Sequence, residues 1–245
     1  MVRVCLVIAV LLAGLGCAQT QIPTAPGDVP SPSAPTPALP APAPTPPSLA
    51  APESARYVVV FQSSWSPATH PTDFPESAHY SGLIGGTHSG ATSFWSQGSL
   101  ATEGIRRMAE RGSKTPLDGE VGGAIAAGTA QYLLSGPALA QSPGSARLEF
   151  DITQTFPMVT LVTMVAPSPD WFVGVSGLEL FQNGQWVQER RIDLHAYDAG
   201  TDSGRTYTSV DERTSPPQLI QPLGYPLNMG GAGLPLGTFT FTRLN

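Results

Sequence analysis

Residues 22–52 read IPTAPGDVPSPSAPTPALPAPAPTPPSLAAP, with proline at more than every third position and a single charge, Asp28. The pyrrolidine ring of each proline fixes φ and leaves no N–H to donate, so this stretch can enter neither a helix interior nor a sheet ladder. What remains is extended polyproline II or disorder, with a reach of roughly 90 Å at about 3.1 Å per residue. It reads either as a stalk that lifts a domain away from a surface or as a spacer of no particular length. Any packed core must therefore come from the residues after it.

Residues 1–17, MVRVCLVIAVLLAGLGC, carry one positive charge, an apolar run from Cys5 to Leu12, and small residues before a cysteine. That pattern is an export signal, too short to span a bilayer. The ending LAGLGC resembles a bacterial lipobox and makes Cys17 the expected lipidation site, although its leucine stands two residues before the cysteine rather than three. The competing reading is cleavage after Ala18, with Gly16 and Ala18 as the small residues. Either way the protein is exported, to the cell envelope or outer surface as a lipoprotein or into the medium, and it meets a membrane only through an acyl anchor.

Cys5 and Cys17 are the two cysteines of the chain, so the domain beyond the tether has no disulfide. It must be held by its own core or by a bound metal, and the stretch 55–245 is long enough to supply that core. With 12 Lys+Arg against 18 Asp+Glu, and Lys114 as its lone lysine, the chain offers no basic face for nucleic acid. We read residues 1–17 as signal peptide, 18–54 as linker and 55–245 as one domain.

From Arg56 the texture changes. RYVVVFQSSW is β-branched and aromatic, as a buried strand is. ARLEFDITQTF (146–156) and GTFTFTRL (237–244) alternate apolar and polar residues, while MVTLVTMVA (158–166) and WFVGVSGLELF (171–181) are longer β-rich runs. Turn residues punctuate them, which predicts an all-β antiparallel sandwich rather than βαβ units. One helix is expected in SLATEGIRRMAERG, with Ser99 as N-cap and Gly112 as the stop. The Ala/Gly-rich stretch 119–130 stays ambiguous.

Two acidic loops stand out in a chain that is only 12% charged: PSPDW at 167–171 and DAGTDSG at 198–204. Asp170 follows a Pro-Ser-Pro turn, and the two glycines of the second loop let Asp198 and Asp202 fold back toward one point. Carboxylates on flexible loops suit calcium, a hard cation that takes six to eight oxygens. Asp residues are equally common in turns because they cap their own backbone, and the spacing is not that of an EF-hand loop. On the residues alone, both readings stand.

Four segments in order, HPTDFPESAHYSGLIGGTHS (70–89), FWSQGSLATEGIRRMAERG (94–112), VTMVAPSPDWFVGVSGLEL (162–180) and IDLHAYDAGTDSG (192–204), resemble the spondin domain. The resemblance covers most of residues 55–245. It implies a C2-like antiparallel β-sandwich with one or two short helices that binds Ca²⁺ through three aspartates in loops at one end, here Asp170, Asp198 and Asp202. The chain departs from animal members in having no cysteine within the domain, no thrombospondin repeats after it, and a bacterial type of export signal. Family roles in adhesion therefore transfer less readily than the fold and the ion.

Other chemistry is weaker. His70, His79, His88 and His195 lack the short spacings of zinc sites and are expected to hydrogen-bond within a loop packed on the sandwich. GTHSG (86–90) has histidine where a nucleophile elbow needs serine. Trp65, Trp95, Trp171 and Trp186 could form a carbohydrate platform, but aromatics of a sandwich are more often core, with Trp171 under the calcium loop. QERRID (188–193) reads as a solvated strand edge. The expected function is a non-enzymatic, extracellular, calcium-binding module that recognises a protein or glycan at a cell surface. The alternatives are a hydrolase of envelope or extracellular polymer acting through the acidic cluster, and a structural surface protein that binds calcium with no specific partner.

Overall fold

The computed structural model describes residues 51–227 and 233–245; the expected signal, Cys17 and nearly all of the linker lie outside the described residues. The last linker residues are already tied to the domain. The Ala51 carbonyl accepts from Gln154 Nε2 (3.1 Å), the Pro52 carbonyl accepts from Trp186 Nε1 (2.8 Å), and Ser54 pairs with Thr153.

Two antiparallel sheets follow from the alternating segments. In the first, β1 (Ser54–Ser63) lies between β5 (Gly144–Thr153) and β13 (Gly237–Arg243), and β13 carries β10 (Glu189–Leu194) on its outer edge. The second runs in the order β12 (Gln221–Pro222), β11 (Tyr197–Asp198), β7 (Trp171–Glu179), β6 (Met158–Ala166), β3 (Ile84–His88), β4 (Ala130–Ser135), and β2 (His79–Tyr80) also pairs with β6. A hairpin of β8 (Phe181–Gln182) and β9 (Gln185–Trp186) stands apart.

Period-two alternation decides which side chains meet between the sheets. Tyr57, Val59 and Phe61 of β1, Phe150 and Ile152 of β5, and Phe239 and Phe241 of β13 share one core with Val159, Leu161 and Val165 of β6 and Trp171, Val173 and Val175 of β7. Phe61 meets Tyr80 edge-on at 4.8 Å and Phe239 at 5.4 Å. On the outer face of the first sheet, Arg56 pairs with Glu149 and Asp151 at 3.2 Å each. The expected solvated segment 188–193 is the edge strand β10, whose polar residues Glu189, Arg190, Arg191 and Asp193 are exposed.

The unbroken apolar run of β6 has a physical reason: both its faces are covered. Val162, Met164 and Ala166 turn away from the sandwich core into a second one, built with Ile105, Met108 and Ala109 of α1 (Glu103–Arg111) and Leu117 and Val121 of α2 (Leu117–Ala126). The helices form a third layer, and each large side chain buried there stabilises it by about 1.5–3 kcal/mol.

Helix α1 ends at Gly112, with φ 64° and its N–H donating to the Met108 carbonyl, as expected. Its N-cap is Thr102 rather than Ser99; the Thr102 hydroxyl accepts from Ile105 N at 3.1 Å. Ser99 instead closes a turn with Ser96, and its carbonyl accepts from Ile220 N (2.8 Å), so the chain stays extended past Leu100. The ambiguous stretch becomes α2, and its Glu120 reaches the start of α1. Glu120 Oε1 accepts from Gly104 N (2.6 Å) and Oε2 from the Thr102 hydroxyl (2.7 Å). A carboxylate at a helix N-terminus satisfies orphan donors and meets the positive end of the dipole. We expect Glu120→Ala to lower unfolding free energy by about 1–2 kcal/mol in urea; an unchanged midpoint would show that the carboxylate contributes nothing to α1.

The segment 70–88, expected as a loop, contains β2 and β3. His70 is held by Thr69 and the Leu234 carbonyl, and His79 Nδ1 donates to the Ser77 carbonyl at 2.6 Å. His88 lies on β3, buried: Nδ1 donates to the Ser89 carbonyl (2.8 Å), and Nε2 accepts from Thr160 Oγ1 (2.8 Å), which itself accepts from Gly177 N (3.0 Å). Burial pushes His88 below its ordinary value of 6.5. The folded chain thus holds it neutral where the unfolded chain takes up a proton, so the contribution of His88 to stability falls as pH drops below about 6.5. Asp170 and Asp198, both raised, act in the opposite sense over the same range, so the His88 contribution is read as a difference: between pH 7 and 5 the urea midpoint of the unaltered protein should fall relative to that of His88→Gln.

Candidate functional site

The start of β7 and the end of β11 bring the two acidic loops together. Asp198 is in register with Trp171, and the Asp170 carbonyl accepts from Ala199 N (3.1 Å), so the 198–204 loop folds over Asp170. Asp170 itself is placed by the turn before it, where Ser168 Oγ accepts from Trp171 N (3.1 Å).

Asp170 is fully buried, and its two oxygens differ. Oδ2 accepts from Thr201 N (2.7 Å), Asp202 N (3.0 Å) and Thr201 Oγ1 (3.2 Å), which fixes the backbone of the opposing loop. Oδ1 is buried with no hydrogen-bond partner among the described residues. Asp198 Oδ1 accepts from Gly200 N (2.7 Å). Asp202 closes the next excursion of the chain: Oδ1 accepts from Gly204 N and Oδ2 from Glu212 N, both at 2.8 Å.

The tight turn depends on Gly200, at φ 74°. A Cβ there would collide with the carbonyl of Gln218, whose own amide donates to Gly200 O at 2.8 Å. A side chain at this position meets both an unfavourable backbone region and a backbone atom.

The three carboxylates make no ion pair among the described residues, so their charges oppose one another. Burial, and secondly the charge of Asp198, push Asp170 up to about 7 against the pull of its three donors. Asp198 is raised by burial too, with the Gly200 N–H opposing and Asp202 adding to it. The carboxylates feel one another's charge, yet among the described residues no three His, Cys, Asp or Glu side chains already close on a point as a metal cluster. Asp198 and Asp202 line one cleft of about 320 Å³ together with Ser203, Thr214, Gln218 and Gln221. Asp170, fully buried, is not among the residues that line it.

The four tryptophans are core, as expected. Trp171 supports the acidic loop through Tyr207, a residue that nothing in the sequence singles out. Their rings meet at 5.3 Å, and Tyr207 also meets Trp65 at 5.6 Å. Thr201, whose N–H and hydroxyl both donate to Asp170 Oδ2, is a second residue of this loop cluster that sequence reasoning missed; its place between Asp198 and Asp202 is the signal that could have found it. His70, His79 and His88 stay outside the site; His79 bonds within its own loop as expected, whereas His70 also reaches the Leu234 carbonyl and His88 reaches Thr160 on β6. No helix among the described residues is long and apolar enough to cross a membrane.

The Spondin_N family model matches residues 55–227. Spondin-1 of Mus musculus is 38% identical over 178 residues, 69% of this chain and 22% of its own length. Spondin-2 of Homo sapiens is 32% identical over 194 residues, 78% of this chain and 57% of its own length. Spondin-1 of Xenopus laevis is 33% identical over 213 residues, 81% of this chain and 26% of its own length. The chain thus spans about a fifth to somewhat over half of these relatives.

Proposed function

Since this chain belongs to the Spondin_N family, we propose that it is a non-enzymatic, calcium-binding recognition module that acts outside the cell, displayed on its proline-rich tether. The observation that carries the calcium reading is Asp170 Oδ1, a carboxylate oxygen buried without a partner and repelled by the charge of Asp198. An orphaned buried anion is costly, and a divalent cation removes that cost where a proton otherwise would. Asp170, Asp198 and Asp202 are the residues that would hold the ion, with hydroxyls, amide oxygens and water completing an oxygen shell. Bound there, calcium supplies charge neutralisation and rigidity to loops whose backbone Asp170 already orders.

Ordered loops on a rigid sandwich make a natural contact surface for a protein or glycan partner. The hydrolase alternative gains nothing from the geometry, because the one carboxyl with a strongly raised pKa is fully buried and one of its oxygens is already engaged by Thr201 and Asp202. Isothermal titration of the chelator-treated protein with calcium chloride tests the reading: we expect one ion per chain, and none for Asp170→Asn. Absence of heat in the unaltered protein, or equal binding by the variant, would refute it. Retention of a defined species from envelope extracts with calcium but not with EDTA would support the recognition role.

A further inference from the structure

A second cleft, of about 400 Å³, adjoins the first and shares Asp198, Gly204 and Arg205 with it; Trp171, Leu223 and Tyr225 complete its character. That volume lies in the range of small-molecule sites. Its groups are of three kinds. Tyr225 is 45% exposed, a large ring open to solvent, and its hydroxyl donates to the Asp73 carboxylate, which anchors it. Arg205 brings a guanidinium, and the buried indole Nε1 of Trp171 has no acceptor among the described residues. Asp198 brings a carboxylate acceptor.

Charge sorts the ligands that such a lining accepts. An amine meets the Arg205 guanidinium and finds an indole N–H that it cannot satisfy. A carboxylate meets Asp198, with Asp73 behind Tyr225. A hydroxyl group donates to one kind of group and accepts from the other, so a ligand carrying several hydroxyls pairs with both. If the same ligand has an apolar face of C–H groups, it can also cover the tyrosine ring and Leu223. A sugar ring combines these properties.

We propose that this cleft binds a neutral sugar ring, with Tyr225 as the apolar platform and Arg205 and Asp198 as the polar clamp. The inference goes beyond calcium binding: it shares Asp198 with the proposed ion site, while the contacts to Tyr225 and Arg205 do not need the ion.

The test is saturation-transfer NMR on the full-length protein in EDTA, with glucose, galactose, mannose, N-acetylglucosamine, cellobiose and lactose as probes and acetate and methylammonium as controls. Working in chelator keeps the outcome separate from that of the calcium titration. At least one sugar should bind saturably, with affinity reduced about tenfold or more by Tyr225→Ala and by Arg205→Ala. Tyr225→Phe keeps the ring and should retain binding, which guards against misreading a folding defect in the alanine variant. Failure of every sugar to saturate, equal binding by the alanine variants, or binding of a charged control in place of the sugars would overturn the proposal.

Discussion

Calcium should raise the melting temperature of the chelator-treated protein by about 5–10 °C when the free ion is roughly 100-fold above its Kd. Binding to the folded state alone contributes about 2.7 kcal/mol at that excess, and a domain of this size shifts by about 2–4 °C per kcal/mol. Asp198→Asn combined with Asp202→Asn should abolish the shift. In EDTA the same double variant should fold and differ from the parent by about 1 kcal/mol or less. The reason is that each asparagine Oδ1 can still accept an N–H that its aspartate accepts, from Gly200 or Gly204, while relief of mutual repulsion offsets the bond from Glu212 N that the amide at 202 can no longer accept. Melting curves that ignore both calcium and EDTA in the parent protein would remove the basis of the functional reading.

Replacing Trp171 by alanine should cost about 3–5 kcal/mol in urea unfolding, the range for a large aromatic lost from a core. Trp171 is fully buried between the sheets, where the strands around it limit how far the core can collapse into the space its indole vacates. A second effect distinguishes it from other core residues: Tyr207 loses one of its two tryptophan supports beneath the 203–212 excursion that Asp202 closes. Calcium affinity should therefore fall in Trp171→Ala but not in Phe241→Ala, a core change with no part in the site. Equal calcium affinity in the two variants would show that the indole holds the sandwich together without shaping the loop.

The legible parts of this protein are those whose pattern is local. Alternation in 146–156 and 237–244 marks β5 and β13, since a strand with one buried face must alternate. Gly112 marks the end of α1, since a left-handed residue costs little only for glycine. Ser99 misleads because a serine before a helical pattern looks like a cap whether or not the chain has yet turned. A pairing with residues 219–220, more than a hundred positions away, holds it extended. Stretch 119–130 resists reading because glycine and alanine carry opposite helix preferences; burial of Leu117 and Val121 and the reach of Glu120 to another helix decide it.

Asp170, Asp198 and Asp202 could be named in advance as a group, but their inequality could not. Sequence alone determined that a proline-rich stretch precedes a cysteine-free β-sandwich and that two loops gather acidic residues in a chain with little charge, because composition and period-two alternation are properties of neighbours along the chain. Tertiary structure alone decided that Asp170 is fully buried, with one oxygen bonded to the loop backbone and one left over. Burial and hydrogen-bond partnership depend on the register of β11 against β7, which joins residues about thirty positions apart and leaves no mark on either segment by itself.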